Sequence, residues 1–184
     1  MAEIPLKRLT ILGSTGSIGC SALDVVRRYP HRFVVETLAA HSNIALLAEQ
    51  IREFRPKQVA VFDVAAAEQL KALLPDYPVL SGLEGLTALA EVSVDMVLCA
   101  VVGAVGLKPL LAAIDAGNPV AIANKEPLVM AGQYVMERAK ARGTPVVPVD
   151  SEHSAIFQCL EGHPAAALRC IHLTASGGPF YGRP

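Results

Sequence analysis

Short runs of Val, Ile and Leu, each followed by a longer amphipathic stretch, recur along most of the chain. These runs lack the apolar and polar alternation of a half-exposed strand, so we expect them to be covered on both faces. The rhythm predicts an α/β fold, a doubly wound and mostly parallel sheet with helices between most strands. The predicted strands are residues 9–12, 33–40, 58–62, 78–80, 95–102, 120–123, 146–149 and 168–174.

The composition supports a globular protein that acts on small molecules. The 184 residues, 52% of them hydrophobic, suffice for one core and the start of a second. A net charge of −1 gives no long-range attraction for phosphate backbones or anionic membranes, so nucleic acid and membranes are not expected partners. The longest apolar run, about 12 residues, is shorter than the roughly 18 to 20 residues of a membrane-spanning helix. The N-terminus lacks the features of a secretory signal, which predicts a cytoplasmic protein.

The cysteines and a late change in composition give two further expectations. Cys20, Cys99, Cys159 and Cys170 form no C-x-x-C pair, which predicts reduced core thiols and no zinc or dithiol site. After Val149, acids, His and Ser replace the aliphatic run, and we expect a domain boundary there.

The first predicted strand leads directly into three glycines, in the stretch ILGSTGSIG. Gly13 permits a tight turn, while Gly16 and Gly19 let the backbone approach a phosphate and let the next helix pack closely. The N-terminus of that helix presents free N–H groups to a pyrophosphate, and Thr15 and Ser17 add hydroxyl donors. The βαβ context favours a dinucleotide site over a glycine-rich packing turn.

The tip of the second strand bears on the choice of dinucleotide. NAD-binding domains usually place Asp or Glu there to hold the ribose 2′-hydroxyl. His41, Ser42 and Asn43 carry no negative charge to repel a 2′-phosphate, so NADP is preferred over NAD. Alternatively, these residues only cap the helix that begins near Ile44, for which Asn43 is a suitable N-cap.

The strand 120–123 runs into Asn124, Lys125 and Glu126, and Pro127 then begins a helix. Because ligands in open α/β sheets collect at the carboxyl ends of strands, Lys125 is expected to face the crevice. The alternatives are a solvated Lys125 and a Glu126 that only complements the helix dipole.

Asp150 and Glu152 lie two residues apart at another strand tip, a spacing that points both carboxylates to one side. With Ser151 between them they are suitable ligands for Mg²⁺ or Mn²⁺, although at least one more ligand must come from elsewhere. Equally open is a capped helix with Asp150 or Ser151 as N-cap and Glu152 complementing the dipole. His153 is interpreted as a structural residue and not as a ligand.

The last motif ends in Ser176, Gly177 and Gly178, whose N–H groups and hydroxyl suit an anion such as a phosphate ester. A simple Gly-Gly turn is the alternative.

Taken in order, the stretches ILGSTGSIG, ANKEPLV, PVDSEHSAIFQ and LTASGGPF resemble the N-terminal part of the 1-deoxy-D-xylulose 5-phosphate reductoisomerases, over essentially the whole chain. Pro127, Ser154 and Tyr181 stand where that family commonly has Ser, Asn and Arg.

The resemblance implies an enzyme of non-mevalonate isoprenoid biosynthesis. It would rearrange 1-deoxy-D-xylulose 5-phosphate and reduce the resulting aldehyde with NADPH to 2-C-methyl-D-erythritol 4-phosphate. Residues 1–149 would form a Rossmann-like NADPH-binding domain, and residues 150–184 the first part of the catalytic domain. Family chains are roughly twice this long and homodimeric, with a third carboxylate ligand and a covering loop beyond Pro184. This chain is therefore expected to bind NADPH without being active alone.

The resemblance also implies roles for individual residues. The residues expected to contact NADPH are Thr15, Gly16, Ser17 and Ile18 at the phosphates, His41, Ser42 and Asn43 near the adenosine ribose, and Asn124 and Glu126 toward the nicotinamide. Lys125 would be catalytic, holding substrate oxygens and stabilising developing negative charge. Asp150 and Glu152 would bind Mg²⁺ or Mn²⁺, and Ser151, Glu152 and Ser176 would contact the sugar phosphate.

Two other classes remain open on the sequence. One is an NADP-dependent dehydrogenase of the semialdehyde or homoserine type, which would use no paired metal carboxylates. The other is a nucleotide-binding module without chemistry.

Overall fold

The computed structural model describes residues 5–172 and Gly182. In this part of the chain, seven strands form one sheet in the order β4-β3-β2-β1-β5-β6-β7, and every neighbouring pair is parallel. The strands are β1 Lys7–Leu12, β2 Phe33–Ala40, β3 Gln58–Val61, β4 Val79–Ser81, β5 Met96–Cys99, β6 Val120–Ile122 and β7 Val146–Pro148.

Helices cover both faces of this sheet. They are α1 Ser17–Arg28, α2 Ile44–Phe54, α3 Val64–Leu73, α4 Gly82–Glu91, α5 Leu107–Asp115, α6 Glu126–Arg142 and α7 Ser151–Leu160. The first three supply Leu23, Leu47 and Leu70 to one core cluster. The next three supply Leu89, Leu110 and Val135, among others, to a second cluster on the opposite face. The predicted doubly wound α/β fold is confirmed.

The chain reverses its direction across the sheet beside β1. Strands β1 to β4 are laid down outward, and β5 then returns to pair with the other side of β1. Backbone hydrogen bonds join the strand ends here, from Gly13 N to Ala39 O at 2.9 Å and from Ala100 N to Leu12 O at 2.8 Å. In open α/β sheets, the carboxyl edge at such a reversal is where ligands bind.

Two predicted strands differ from the structure. The predicted strand 95–102 is shorter, because β5 ends at Cys99 and the next residues turn away along the carboxyl edge. The predicted strand 168–174 is wrong over residues 168–172, which form no strand. Leu168 and Ile171 are 44% and 52% exposed, so their apolar side chains are not packed as a strand core would be. Residues 173 and 174 lie outside the described residues.

The cysteines are all free but not all buried. Cys99 is buried and Cys20 half-buried, whereas Cys159 and Cys170 are exposed, so the prediction of core thiols is wrong for these two. Burial raises the pKa of the Cys99 thiol to about 12. In the described part of the chain, no helix combines the length and apolarity needed to cross a membrane.

An apolar groove of about 370 Å³ lies on the sheet face beside α1. Its walls come from β1, α1 and β5, together with Phe33, Ala121 and Val149. Of the predicted site residues that the structure describes, only Ile18 lines this apolar groove.

Candidate functional site

The loop after β1 is held by packing at two of its three glycines. Gly13 has φ +92°, and a Cβ there would lie 2.4 Å from the carbonyl oxygen of Ala100. A Cβ on Gly19 would lie 2.2 Å from Gly13 O. Both distances are too short for any side chain, so Gly13 and Gly19 are required for the loop and α1 to lie against the sheet.

Gly16 differs from the other two glycines. A Cβ on Gly16 would meet only Gly13 O, at an ordinary contact distance of 3.4 Å, so the protein's own packing does not demand glycine here. Gly16 instead lines both cavities of the carboxyl edge. The absence of a side chain therefore leaves room in the open space, as the prediction of close backbone approach to a ligand requires.

The N-terminus of α1 opens onto the same space. Gly16 is its N-cap residue, no side chain caps the helix, and its first turn contains no acidic residue. The positive end of this helix dipole and its first N–H groups are thus available to an anion. Thr15 lines one cavity, and Ser17 and Ile18 line the other.

The tip after β2 caps α2, as one interpretation of the sequence predicts, and it also lines the first cavity. Asn43 is the N-cap of α2, and its side-chain oxygen accepts a hydrogen bond from Leu46 N at 3.2 Å. His41 lines the first cavity and packs on Phe62, with ring centroids 5.2 Å apart. The His41 Nδ1 atom lies 3.3 Å from the Ser42 hydroxyl oxygen. All three residues are exposed, and none brings a negative charge to the tip.

Two adjoining cavities form one groove along the carboxyl edge. The first, about 330 Å³, extends from His41 and Phe62 to Gly16. The second, about 220 Å³, extends from Gly16 to Asn124 and Asp150. They share Gly16, Ala100 and Val102, so the groove is continuous across the reversal point of the sheet. We call it the edge groove.

Asn124 is the buried polar residue of the edge groove. It is 8% exposed, and neither its side-chain nitrogen nor its oxygen has a hydrogen-bond partner among the described residues. A buried amide without partners is costly, so these two atoms are suited to bind a polar group that enters the groove. Asn124, which the resemblance places toward the nicotinamide, thus lines the edge groove.

Lys125 and Glu126 also line the second cavity. Lys125 is exposed and Glu126 half-buried at the start of α6, where Pro127 occupies the first turn as the sequence predicts. Lys125 is near enough to Glu152 for its charge to help lower the pKa of that carboxyl. Lys125 thus lines the groove and lies near the second carboxylate of the predicted metal pair.

The carboxylate of Asp150 is not used to cap α7. Asp150 occupies the N-cap position, but its side chain makes no capping hydrogen bond. Instead, it lines the edge groove and lies 3.9 Å from Nδ1 of His153. The alternative of a purely capping Asp150 is therefore not supported.

Glu152 lies beside the first carboxylate. The Ser151 hydroxyl donates a hydrogen bond of 2.9 Å to Glu152 Oε2. This hydrogen bond is the main cause that lowers the pKa of Glu152 below its ordinary value, and Asp150 and Lys125 contribute in the same direction. Glu152 is thus ionised at neutral pH, as a metal ligand must be.

The described residues hold no cluster of three or more His, Cys, Asp or Glu side chains that could bind a metal ion. Asp150, Ser151 and Glu152 supply oxygen donors, the type that Mg²⁺ and Mn²⁺ prefer, but they leave the coordination sphere incomplete. Ser176, predicted to bind a phosphate, lies outside the described residues.

The sequence analysis missed several residues of the groove. Ala100, Val101 and Val102 form part of its lining, because the chain leaves β5 at Cys99. A signal was present in the sequence, since Gly103 and Gly106 follow this strand closely, and Gly103 has φ +82°. Glycines directly after a buried strand mark a turn over the carboxyl edge.

A parallel doubly wound sheet with a glycine-rich loop at its reversal point defines a nucleotide-binding α/β domain. The family model of 1-deoxy-D-xylulose 5-phosphate reductoisomerase matches residues 9–132, and that of the C-terminal domain of the same enzyme matches residues 146–184. The chain belongs to the 1-deoxy-D-xylulose 5-phosphate reductoisomerase family. The resemblance seen in the four sequence motifs is confirmed, and a dehydrogenase of the semialdehyde or homoserine type is not supported.

Similar proteins agree with this assignment. A 1-deoxy-D-xylulose 5-phosphate reductoisomerase from Chlorobaculum tepidum is 53% identical over 182 residues, which cover 97% of this chain and 48% of the relative. The chain thus spans about half the length of the curated relatives it matches.

Two solved structures of reductoisomerases of this family are also similar to the chain. One, in complex with magnesium, matches 88% of this chain and 41% of its own, at 42% identity and a TM-score of 0.83. Another, from Zymomonas mobilis in complex with NADPH, matches 88% of this chain and 42% of its own, at 38% identity and a TM-score of 0.82.

Proposed function

We propose that this chain binds NADPH in the edge groove and forms part of a metal-dependent 1-deoxy-D-xylulose 5-phosphate reductoisomerase. The observation that carries the proposal is the continuity of the groove. It leads from the uncharged tip at His41, past Gly16, to the unpartnered amide of Asn124 and the carboxylate of Asp150. A similar enzyme, 38% identical, has been solved with NADPH.

In this proposal, the cofactor lies along the whole groove. The 2′-phosphate of the adenosine ribose lies at residues 41–43, none of which carries a carboxylate. The pyrophosphate lies over Thr15, Gly16, Ser17 and Ile18, where the N-terminus of α1 favours an anion. The nicotinamide lies in the second cavity, where Asn124 and Glu126 line the wall. The Asn124 amide, which has both a donor and an acceptor, suits the carboxamide of the nicotinamide ring.

The substrate and the metal ion lie at the far end of the groove. Asp150 and Glu152 hold the divalent cation, and Ser151 and Glu152 contact the sugar phosphate. Mg²⁺ or Mn²⁺ bound there supplies Lewis-acid polarisation of substrate oxygens. Lys125 holds the substrate oxygens and stabilises the negative charge that develops on them. Ser176 binds the substrate phosphate in this proposal.

The reaction has two stages. The carbon skeleton of 1-deoxy-D-xylulose 5-phosphate first rearranges to a branched aldehyde. NADPH bound in the groove would supply the hydride that reduces this aldehyde carbon, and a proton from solvent would complete 2-C-methyl-D-erythritol 4-phosphate. In this second stage, Asn124 fixes the nicotinamide ring so that the hydride faces the substrate held by Lys125.

The domain organisation is part of the same proposal. Residues 1–149 form the NADPH-binding domain, and residues 150–184 begin the catalytic domain. A cytoplasmic location stays a prediction from the sequence, and a homodimer of the longer protein stays a prediction from the resemblance.

Titration of the purified chain with NADPH and with NADH tests the cofactor assignment. We expect NADPH to bind at least about tenfold more tightly, because charge-assisted hydrogen bonds to its 2′-phosphate are absent with NADH. Equal affinities would contradict the placement of the 2′-phosphate at residues 41–43. A chain that binds neither dinucleotide would contradict the proposed function itself.

A further inference from the structure

Gln50 is a buried polar residue on α2 that no part of the proposed function uses. It is only 5% exposed, and its neighbours Leu47 and Ile51 are both buried in the core cluster on this face of the sheet. An amide side chain at such a position is unfavourable unless it makes hydrogen bonds. The hydrogen-bond partner of the Gln50 amide therefore indicates the role of this residue.

The partner is the glycine-rich loop. Gln50 Nε2 donates a hydrogen bond of 2.9 Å to the carbonyl oxygen of Ser14, which lies 36 residues earlier in the chain. The N–H of Ser14 donates to Ala39 O at 2.8 Å. Ser14 is thus held from two sides, by the end of β2 and by α2.

This contact, together with a weaker one from the Cys20 thiol to Ser14 O at 3.6 Å, helps to fix the direction of one peptide group. In a planar trans peptide, the C=O and the following N–H point in opposite directions. Since the Ser14 carbonyl points to Gln50, the N–H of Thr15 points away from α2. Thr15 lines the edge groove, and its N–H makes no hydrogen bond to another described residue. The arrangement keeps a carbonyl oxygen turned inward and an N–H donor free, as binding of an anion at this loop requires.

The same helix carries the tip of the groove. Asn43 is the N-cap of α2, and Gln50 lies seven residues further along, about 10 Å at 1.5 Å per residue. A single rigid helix therefore supports residues 41–43 at one end of the first cavity and the glycine-rich loop at the other. The Gln50 contact links the helix that begins at the tip to the glycine-rich loop.

We propose that Gln50 is a positioning residue for the pyrophosphate of the dinucleotide, because it holds the Ser14–Thr15 peptide with its N–H toward the edge groove. This inference rests on the proposed function. Gln50 does not touch the cofactor and acts only through the loop. The proposal predicts that loss of the amide lowers the affinity for ligands that carry a pyrophosphate. The affinity for ligands that reach only the tip should not change.

The test compares two ligands on variants of the full chain. Gln50→Met keeps an unbranched side chain of similar length and removes the donor, while Gln50→Glu replaces the donor with an acceptor that repels the Ser14 carbonyl. Gln69→Met, at an exposed position on α3, is the matched control. Calorimetric titration with NADPH measures binding to the whole groove. Titration with adenosine 2′-monophosphate, which has no pyrophosphate, measures the tip alone.

We expect both Gln50 variants to bind NADPH roughly tenfold more weakly than the unaltered chain, a loss typical of one hydrogen bond in a binding site. Adenosine 2′-monophosphate should bind within about twofold of its original affinity, which also shows that α2 is folded. Gln69→Met should bind both ligands normally.

Three outcomes overturn the positioning role. If both variants bind NADPH as tightly as the unaltered chain, the loop needs no support from Gln50. Equal losses for the two ligands show that Gln50 stabilises α2 in general. If the unaltered chain itself does not bind NADPH, the proposed function is contradicted and this role with it. That result is distinguishable from the first two, which concern only the variants.

Discussion

Gly106 lies directly against the buried amide of Asn124. A Cβ on Gly106 would be 2.6 Å from Asn124 Nδ2 and 3.3 Å from the carbonyl oxygen of Val101. The turn after β5 and the strand end of β6 therefore meet without space for one methyl group. This contact decides where the amide of Asn124 sits in the edge groove.

The first prediction concerns that contact. We expect Gly106→Ala to weaken NADPH binding because the Asn124 amide is displaced, with only a small loss of stability because the end of a side chain can move aside. Chemical denaturation and NADPH titration measure the two effects. Gly132→Ala, whose Cβ would meet only Leu128 Cβ at 3.9 Å, is the control. Unchanged NADPH affinity in Gly106→Ala would show that the Asn124 amide does not contribute to cofactor binding.

The second prediction separates the roles of two glycines in the first loop. Gly16→Val should weaken NADPH binding more than about tenfold and leave stability nearly unchanged, because its side chain enters the groove. Gly19→Ala should destabilise the chain by at least about 2 kcal/mol, because its Cβ would press on Gly13 O. Denaturation curves and dinucleotide titrations of both variants provide the measurement. Normal NADPH binding by Gly16→Val would mean that this glycine serves no ligand.

A third prediction concerns the carboxylate pair. Asp150→Asn should lower the affinity of the chain for Mn²⁺, measured by electron paramagnetic resonance, and leave NADPH affinity within about threefold. The reason is that the Asp150 carboxylate serves the cation and not the dinucleotide. Asp76→Asn, at an exposed position far from Asp150 in the sequence, is the control. An unchanged Mn²⁺ affinity in Asp150→Asn would rule out the ligand role.

A fourth prediction follows from the incomplete metal site. With two carboxylates and no third His, Cys, Asp or Glu beside them among the described residues, a cation would not hold the substrate in one geometry. We expect the 184-residue chain to bind NADPH but to show no loss of nicotinamide absorbance with 1-deoxy-D-xylulose 5-phosphate and Mg²⁺ or Mn²⁺. A longer relative serves as the positive control. Turnover by this chain would show that its own residues complete the site.

The fifth prediction is a pH dependence at the contact of α5 and α6. Arg138 makes two hydrogen bonds to the Asp115 carboxylate, at 2.6 Å and 2.5 Å, and they hold the pKa of Asp115 below its ordinary value. A lowered folded-state pKa contributes stability above the unfolded pKa, about 3.9 for Asp, and that stability is lost as the pH falls through the folded value.

Asp115→Asn should therefore be less stable than the unaltered chain at pH 7, by a small amount because the pair is partly exposed. The difference between the two melting temperatures should shrink below pH 4. A difference that stays constant down to pH 2 would show that ionisation of Asp115 does not contribute.

Much of the fold was determined by local sequence. Seven of the eight aliphatic runs predicted as strands correspond to strands of the parallel sheet, because a strand covered on both faces needs apolar side chains on both. Gly13, Asn43 and Pro127 also kept their predicted local roles, since a tight turn, an N-cap and a helix first turn each depend on a few adjacent residues. The apolar run at residues 168–172 met the same local criterion, yet it forms no strand. A strand also needs a partner, and sequence alone does not supply one.

Only the tertiary structure decided which residues share a site. It showed that Gly16 faces open space while Gly13 and Gly19 are fixed by neighbours, a difference that three identical residues cannot reveal in sequence. It also showed that Asp150 lines the groove and does not cap its helix. It showed as well that Gln50 contacts Ser14, 36 residues away in the sequence. Such relationships depend on how strands order themselves in the sheet and on where each helix then packs. Local propensities fix the elements, whereas contacts between distant elements fix the directions of their side chains.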